Sequence, residues 1–588
     1  MNQNTNATQA PPPLLPGQLL HRITTLILAT AVGILSICTA FQAYCADPGS
    51  VPNVVLVLTD DQGYGDLACH GNPVVKTPNL DKMYAESVRL TNYHVDPTCA
   101  PTRSALMTGR NSGRVGVWHT IMGRSLLRKD EVTMADVFAA AGYATGVFGK
   151  WHLGDTYPFR PQERGFQEVL INGGGGVGQT PDYWGNDYFD DTYFHNGKPE
   201  KQQGFCTDVW FDGAMRFIEA NKDRPFFAYI PTNAAHGPYR APQRYLDMYA
   251  GKKVNAGFYG MITNIDDNMA RLRKKLKELA LEANTVLIFT TDNGTAAGSS
   301  GGLRGRKGSE YEGGHRVPCL IYWPDGGLTG GRDIDRLTAH MDMLPTLIDV
   351  CGLKKPEGVK FDGTSIVPLL AGKEWPNRTL VVESQRIEHP QRWHKTAVMT
   401  DRWRLVNGKE LFDVLADLGQ QNNVAEKHPE VVEQLTDRYN KWWEDVSRRH
   451  GEYCEIILGN DAENPATLTG HDWHEGRPPW NQSHISGGAN ANGFWAVEVE
   501  RAGQYEIELR RWPREANLPI NEGPGVKAAK ARLTIADVDQ TQPVVADAAA
   551  VTFSISLKAG KTRLQTWLID EKDNSRGAYY AYVKRLSD

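Results

Sequence analysis

From about residue 52 the chain alternates apolar runs with amphipathic stretches. Val54–Leu58 is a continuous apolar run with the length of a buried parallel strand. Tyr143–Phe148, Phe226–Ile230 and Thr285–Thr290 have the same character. Asp266–Ala283, rich in Lys, Arg and Leu, predicts an amphipathic helix before the last of these strands. The alternation of strand and helix predicts a doubly wound, mainly parallel α/β sheet.

Two further regions have different patterns. Trp403–Val406 and Glu410–Val414 could pair as strands, and Pro429–Val446 predicts a helix, so a smaller α+β subdomain is expected there. The last region has short strand-like runs separated by Gly, Pro, Asn or Asp, which is typical of an appended all-β sandwich. These runs are Phe494–Val499, Gln504–Arg511, Ala531–Ile535, Val551–Leu557 and Ala578–Val583.

We therefore divide the chain into four parts. Residues 1–46 form an N-terminal leader, residues 47–355 a main α/β domain, residues 356–450 the α+β subdomain, and residues 451–588 the β-sandwich. Within the leader, the apolar run Leu26–Ala40 predicts a signal peptide. An uncleaved membrane anchor is the alternative, although the run is short for a membrane span. We expect an exported protein, periplasmic or secreted, with no stable membrane span after signal removal.

Composition excludes some partners. The 588 residues are 40% hydrophobic, and 64 basic against 69 acidic side chains give a net charge of −5. This balance gives no support for nucleic-acid binding, which usually needs a clearly basic face. Eight cysteines are spread widely without a C-x-x-C pair, so disulfides are not expected to organise the fold.

Polar side chains follow four of the predicted strands. In open α/β sheets, ligands bind beyond the carboxyl ends of the strands. These polar groups are therefore expected to meet at one edge of the sheet and to form a functional site. They are Asp60 and Asp61, Lys150 and His152, His236, and Asp292 and Asn293.

Four of these residues predict a cation site. Two adjacent carboxylates are costly to hold together unless a cation neutralises them. Asp60, Asp61, Asp292 and Asn293 offer only oxygen ligands, which Ca²⁺ and Mg²⁺ prefer, whereas zinc would recruit His or Cys. Each pair alone would be interpreted as a helix cap or a turn. Together, at two strand ends, they favour a metal site.

A cysteine is predicted at the start of a helix. Pro101 suits the first helical turn, and the helix would continue to Thr108. Cys99 would then lie at the helix N-terminus, where backbone N–H groups and the helix dipole favour an anion. A structural cysteine is the ordinary alternative.

The segment Cys99–Arg110 resembles the signature of the type I sulfatases, which are formylglycine-dependent members of the alkaline phosphatase superfamily. The resemblance covers about residues 52–446 and leaves out the last β region. Its further motifs are Leu58–Gly65, Gly149–Gly154, Thr291–Gly294, Lys307–Pro318 and Glu410–Val414.

The resemblance implies an alkaline-phosphatase-like fold and assigns the site. A separate maturation enzyme would convert Cys99 to formylglycine, which would lie against one divalent cation, Ca²⁺ as first choice and Mg²⁺ as the alternative. Asp60, Asp61, Asp292 and Asn293 would bind that cation together with the converted Cys99. The remaining catalytic residues implied by the family pattern are Arg103, Lys150, His152, His236 and Lys307.

The family mechanism gives these residues roles. Hydration of the aldehyde provides two hydroxyls, one to attack sulfur and one to be deprotonated so that sulfate is expelled. His236 or Lys307 would protonate the leaving oxygen, and His152 would be the base. Lys150, Arg103 and Lys307 would stabilise charge on the sulfuryl oxygens, or Arg103 would mainly orient the nucleophile.

The resemblance therefore implies hydrolysis of an organic sulfate ester, with a sulfated carbohydrate or small molecule as substrate. The alternatives are a phosphonate or phosphate diester hydrolase with the same formylglycine site, and a non-catalytic carbohydrate-binding protein. Tryptophans of the last region are expected mostly to fill its core, although exposed ones could stack on sugars. They are Trp473, Trp480, Trp495, Trp512 and Trp567.

Overall fold

A ten-stranded sheet forms the centre of the main domain. The computed structural model describes Met1 and residues 51–586, so the predicted signal peptide lies outside the described residues. From edge to edge the strands are Asp333–Ile334, Val88–Leu90, Cys319–Tyr322, Thr285–Thr291, Asn53–Thr59, Phe226–Pro231, Ala144–Lys150, Glu168–Asn172, Thr192–His195 and Lys198–Lys201.

The sheet is parallel at its centre and buried on both faces. Five neighbouring strands, from Thr285–Thr291 to Glu168–Asn172, run parallel, and antiparallel strands flank them. Val54 and Leu56 enter one hydrophobic core, while Val55 and Val57 enter another on the opposite face. Because successive strand side chains point to opposite faces, this burial requires helices on both sides. The predicted doubly wound fold is confirmed.

The helices that accompany this sheet are short, apart from two. Thr133 caps one of them, with its side chain accepting from the Asp136 backbone and the Asp136 carboxylate accepting in return. The helices of the main domain are Pro78–Glu86, Cys99–Thr108, Met134–Ala140, Cys206–Ala220, Gln243–Asp247, Ala256–Glu278, Glu312–His315, Met343–Val350 and Val367–Leu370.

The predicted helix Asp266–Ala283 is misplaced. The helix spans Ala256–Glu278, and the side chain of Asn255 caps its N-terminus by accepting from Phe258 N. Its first turns are buried on every side, so they lack the polar face by which an amphipathic helix is recognised. The strand predicted at Tyr143–Phe148 spans Ala144–Lys150, so Lys150 is its last residue and does not lie in the following loop.

The α+β subdomain matches its prediction. Its four antiparallel strands lie in sequence order, and the helix Pro429–Val446 packs against them through Leu435 and Tyr439. The strands are Leu380–Glu383, Thr396–Met399, Trp403–Val406 and Glu410–Asp413.

The last region forms two sheets around one core, so the predicted β-sandwich is confirmed. Trp473, Trp495 and Trp512 lie in that core, whereas Trp480 is exposed and Trp567 half-buried. One sheet has the strands Ile456–Leu458, Phe494–Val499, Gly560–Ile569, Lys530–Ile535 and Val538–Pro543, with Ser575–Arg576 beside it. The other has Ala466–Thr469, Tyr580–Arg585, Gly503–Arg510 and Val551–Leu557, and the helix Gln482–Ser486 lies near them in the chain.

The remaining sequence expectations concern cysteines and the membrane. Within residues 51–586 every cysteine is a free thiol, in agreement with the absence of a disulfide framework. None of the described helices has the length and apolar character required to cross a membrane.

Candidate active site

The predicted metal residues meet at the carboxyl edge of the central strands. Asp60 and Asp61 follow Asn53–Thr59, and Asp292 follows the neighbouring strand Thr285–Thr291. Ligand atoms of these three aspartates and of Cys99 all lie within 4.8 Å of one another, and all four residues are buried. Asp61 N donates to Asp292 Oδ1 over 3.2 Å, which ties the two strand ends together.

Three cationic side chains neutralise these three carboxylates. Lys150 Nζ lies 2.5 Å from Asp60 Oδ2, and Lys307 Nζ lies 2.5 Å from Asp61 Oδ1. Arg103 Nη2 donates to Asp292 Oδ2 over 2.9 Å. The protein's own charges therefore balance, and a divalent cation would add net positive charge beside the thiol. Such a charge suits an anionic substrate.

The side chains fit a hard divalent cation. Buried Asn293 Oδ1 has no hydrogen-bond partner within the described chain, although its amide nitrogen donates to Asp61 Oδ1 over 2.9 Å. An oxygen buried without a partner is costly, and a cation would satisfy it. The carboxylates of Asp60, Asp61 and Asp292 supply the other oxygens that such an ion prefers.

Cys99 begins a helix that is buried along its whole length. The helix spans Cys99–Thr108, and Thr98 precedes it in an extended conformation. Cys99 Sγ lies 3.6 Å from Asp60 Oδ1. Burial raises the pKa of the thiol to about 12 despite the nearby Lys150 and Lys307 ammonium groups, so an unconverted Cys99 is a protonated, weak nucleophile.

Arg103 lies one turn further along the same helix. Its Nη1 donates to Lys150 O over 2.8 Å, and its Nη2 lies 3.7 Å from Asp60 Oδ2 in addition to the Asp292 contact. The guanidinium is fully buried, and both of its terminal nitrogens are engaged by the protein. This arrangement suits a residue that holds the carboxylates and the helix in place.

His152 has one nitrogen engaged and one without a partner. Its Nε2 lies 2.9 Å from Thr120 O, which makes Nε2 the protonated nitrogen because a carbonyl only accepts. Its buried Nδ1 has no partner among residues 51–586. Burial and Lys150 lower the pKa of His152 well below its usual value, so the ring is neutral at neutral pH. His152 also adopts a positive φ of 61°, and Gly175 leaves room for its ring, since a Cβ at Gly175 would lie 2.3 Å from His152 Cε1.

His236 and Lys307 differ from the other site residues in reaching the surface. Their side chains are 21% and 18% exposed, whereas those of Arg103 and Lys150 are fully buried. Burial and Lys307 lower the pKa of His236 to about 4. Burial opposes the charge of Lys307, but Asp61 outweighs it and raises the pKa of the ammonium. At neutral pH the site mouth therefore presents a neutral imidazole and a cation.

A cavity of about 320 Å³ opens at this mouth. Asp61 and His236 line it together with Gln179, Trp480 and Asn481. The last two come from the β-sandwich region, and no local motif distinguishes them from other loop residues. His471, also from that region, lies with its ring 6.3 Å from that of His152, a contact that requires the tertiary fold.

Comparison with known protein families identifies two matching regions. Residues 52–353 match the model described as Sulfatase. Residues 306–445 match the model described as N-sulphoglucosamine sulphohydrolase, C-terminal.

Characterised proteins match over the same part of the chain. Human arylsulfatase A is 34% identical over 357 residues, which cover 55% of this chain and 68% of the relative. The N-acetylgalactosamine-6-sulfatase of Rattus norvegicus is 30% identical over 370 residues, covering 57% and 69%. The crystal structure of Ps i-CgsB in complex with k-i-k-neocarrahexaose has 26% identity and a TM-score of 0.63, covering 69% of this chain and 95% of that chain. The chain belongs to the sulfatase family.

Proposed function

We propose that this enzyme hydrolyses the sulfate ester of a sulfated carbohydrate, using a formylglycine made from Cys99 and one divalent cation. Family membership supports sulfate ester hydrolysis. The observation that carries the finer proposal is the convergence of Asp60, Asp61 and Asp292 on Cys99 Sγ within 4.8 Å. The proposal extends to export of the protein and to a maturation enzyme that oxidises Cys99.

Two groups added to the polypeptide supply the central chemistry. The hydrated formylglycine would offer one hydroxyl to attack sulfur and a second whose deprotonation expels sulfate. A cation held by Asp60, Asp61, Asp292 and Asn293 would supply Lewis-acid polarisation, with Ca²⁺ favoured and Mg²⁺ the alternative.

The exposed cation at the mouth is the proposed proton donor. The Lys307 ammonium lies 2.5 Å from Asp61 Oδ1, and it carries both a proton for the leaving oxygen and a charge that attracts the sulfate. His236, 3.9 Å from Asp61 Oδ2, is neutral and would orient the ester by hydrogen bonding. His152 would accept the second hydroxyl proton at Nδ1, the ring nitrogen without a partner in the described chain.

The two buried cations have a different proposed role. Lys150 lies against Asp60, and Arg103 bridges Asp292 and the backbone of Lys150. Both would fix the carboxylates and the nucleophile relative to one another. Lys150 is also close enough to Cys99 to favour negative charge there.

A carbohydrate substrate is proposed from the relatives and from the pocket. One relative is named for N-acetylgalactosamine 6-sulfate, and Ps i-CgsB was crystallised with a neocarrahexaose. The cavity beside His236 combines an exposed aromatic side chain with amide groups, which suits a sugar ring.

The test uses enzyme produced with and without a formylglycine-generating maturation enzyme. Mass spectrometry of the peptide containing residue 99 measures conversion, and sulfate release is measured on aryl sulfates and sulfated oligosaccharides. We expect turnover to scale with the converted fraction and to require added Ca²⁺ or Mg²⁺. Phosphodiesters with matched leaving groups provide the comparison. Faster turnover of phosphodiesters than of sulfates would refute the proposal in favour of the diesterase alternative, and binding of sugars without any turnover would favour the non-catalytic one.

A further inference from the structure

Trp480 separates two neighbouring cavities. It is 38% exposed, unlike Trp473, Trp495 and Trp512, which are at most 5% exposed in the sandwich core. On one side lies the cavity of about 320 Å³ that reaches Asp61. On the other lies a cavity of about 450 Å³. That second cavity is lined by Ile121, Met122, Arg477, Pro478, His484 and Asn490, among others.

The backbone around Trp480 is tied to the main domain. Thr180 N donates to Trp480 O over 3.1 Å, and Gln179 forms an antiparallel bridge with Asn481. Gln482 N donates to Gly178 O over 3.1 Å. The β-sandwich is therefore joined to the loop that lines the active-site cavity, and the position of Trp480 relative to the site is fixed.

The indole also contacts a neighbouring ring. The ring of His484 meets the indole edge-on, with 5.0 Å between ring centroids. An aromatic ring that is fixed before binding loses little entropy when a ligand stacks on it. Tryptophan is enriched at recognition surfaces, where its ring offers a ligand a large contact area.

We propose that Trp480 is a specificity-determining residue that stacks on the sugar next to the sulfated one, in a substrate running from the active-site cavity across the indole into the second cavity. This inference rests on the proposed sulfate ester hydrolysis. The C–H face of a pyranose ring is apolar and flat enough to cover an indole. An aryl sulfate carries no second sugar to cover the indole.

The second cavity suits an anionic sugar. Arg477 is exposed there and forms no ion pair with any residue of the described chain. A guanidinium binds sulfate or carboxylate with two parallel hydrogen bonds. The predicted occupant is therefore an oligosaccharide that carries a second sulfate or a uronic acid beyond the sugar that is cleaved.

The test compares variants of the full-length, formylglycine-converted enzyme. Steady-state kinetics are measured on 4-nitrophenyl sulfate and on sulfated oligosaccharides of two to six sugars. Trp480→Ala should lower kcat/KM for oligosaccharides about tenfold more than for the aryl sulfate, chiefly through KM. Trp480→Phe should recover most of the loss. Arg477→Gln should raise KM only for oligosaccharides with a second anionic group.

Trp567→Ala is the matched control. Trp567 is a half-buried tryptophan of the same sandwich, stacked 4.9 Å from Arg532, and it lines neither cavity. Its removal should change neither substrate's kinetics. Thermal unfolding of each variant checks that the fold is intact.

The outcomes separate this inference from the proposed function. Equal losses on both substrates in Trp480→Ala, or no loss on oligosaccharides in that variant, would overturn the subsite. Wild-type turnover of aryl sulfate with none of any oligosaccharide would also overturn it and leave sulfate ester hydrolysis intact. Absence of all sulfate release by converted, metal-loaded wild type would instead overturn the proposed function.

Discussion

Replacing Asp292 with asparagine tests the charge balance of the active site. Asp292 accepts from Arg103 Nη2 over 2.9 Å and belongs to the group of three carboxylates that face three cations. The variant keeps the shape of the side chain but leaves one positive charge in excess. Two unit charges about 4 Å apart interact by about 4 kcal/mol at an effective dielectric constant of about 20. A dication carries two unit charges, so the estimate for it doubles to about 8 kcal/mol, and the ion should bind more than about 1000-fold more weakly.

Isothermal titration calorimetry of metal-stripped protein with Ca²⁺ and with Mg²⁺ measures this change. Asp539→Asn is the control, because it removes the same charge from an exposed side chain paired with Arg532 in the sandwich. Its affinity should equal that of the wild type. The same concentration of cation should also raise the unfolding temperature of Asp292→Asn by less than that of the wild type. The stabilisation by a ligand grows with the logarithm of the ratio of its concentration to its dissociation constant. A dissociation constant within about threefold of wild type would show that Asp292 is not a ligand.

Two further predictions concern the nucleophile and the fold. Cys99→Ser and Cys99→Ala should each lower sulfate release by more than about 1000-fold, because neither can supply the two hydroxyls of a hydrated aldehyde. Activity of Cys99→Ser equal to wild type would contradict a formylglycine mechanism. In the wild type, Arg404 Nε lies 2.6 Å from Oε1 of the fully buried Glu312. Arg404→Met removes this partner and leaves Arg316 as the remaining ion-pair partner of the buried carboxylate, so it should lower the free energy of unfolding by about 3–5 kcal/mol. Urea unfolding measures this loss, and a change below about 1 kcal/mol would contradict it.

Local sequence accounts for much of the framework. Polar residues at the ends of apolar runs predicted where Asp60, Lys150 and Asp292 meet, because parallel strands bring their carboxyl ends to one edge. Helix Pro429–Val446 has its predicted bounds, since its proline suits the first turn and one face is apolar. The start at Ala256 was missed because the helix is buried all round at that end.

The wall of the substrate pocket depended on the tertiary structure. The sequence did not distinguish the buried tryptophans of the last region from the exposed ones. Only the packing of two sheets decides that Trp495 fills a core and Trp480 faces a cavity. Gln482 Nε2 donates to Asp182 O across 300 positions of the chain, next to the bridge that sets Trp480 beside the active site. Periodicity and motifs reflect contacts between near neighbours along the chain. They give no information about which distant loop a side chain will contact after the domains have packed.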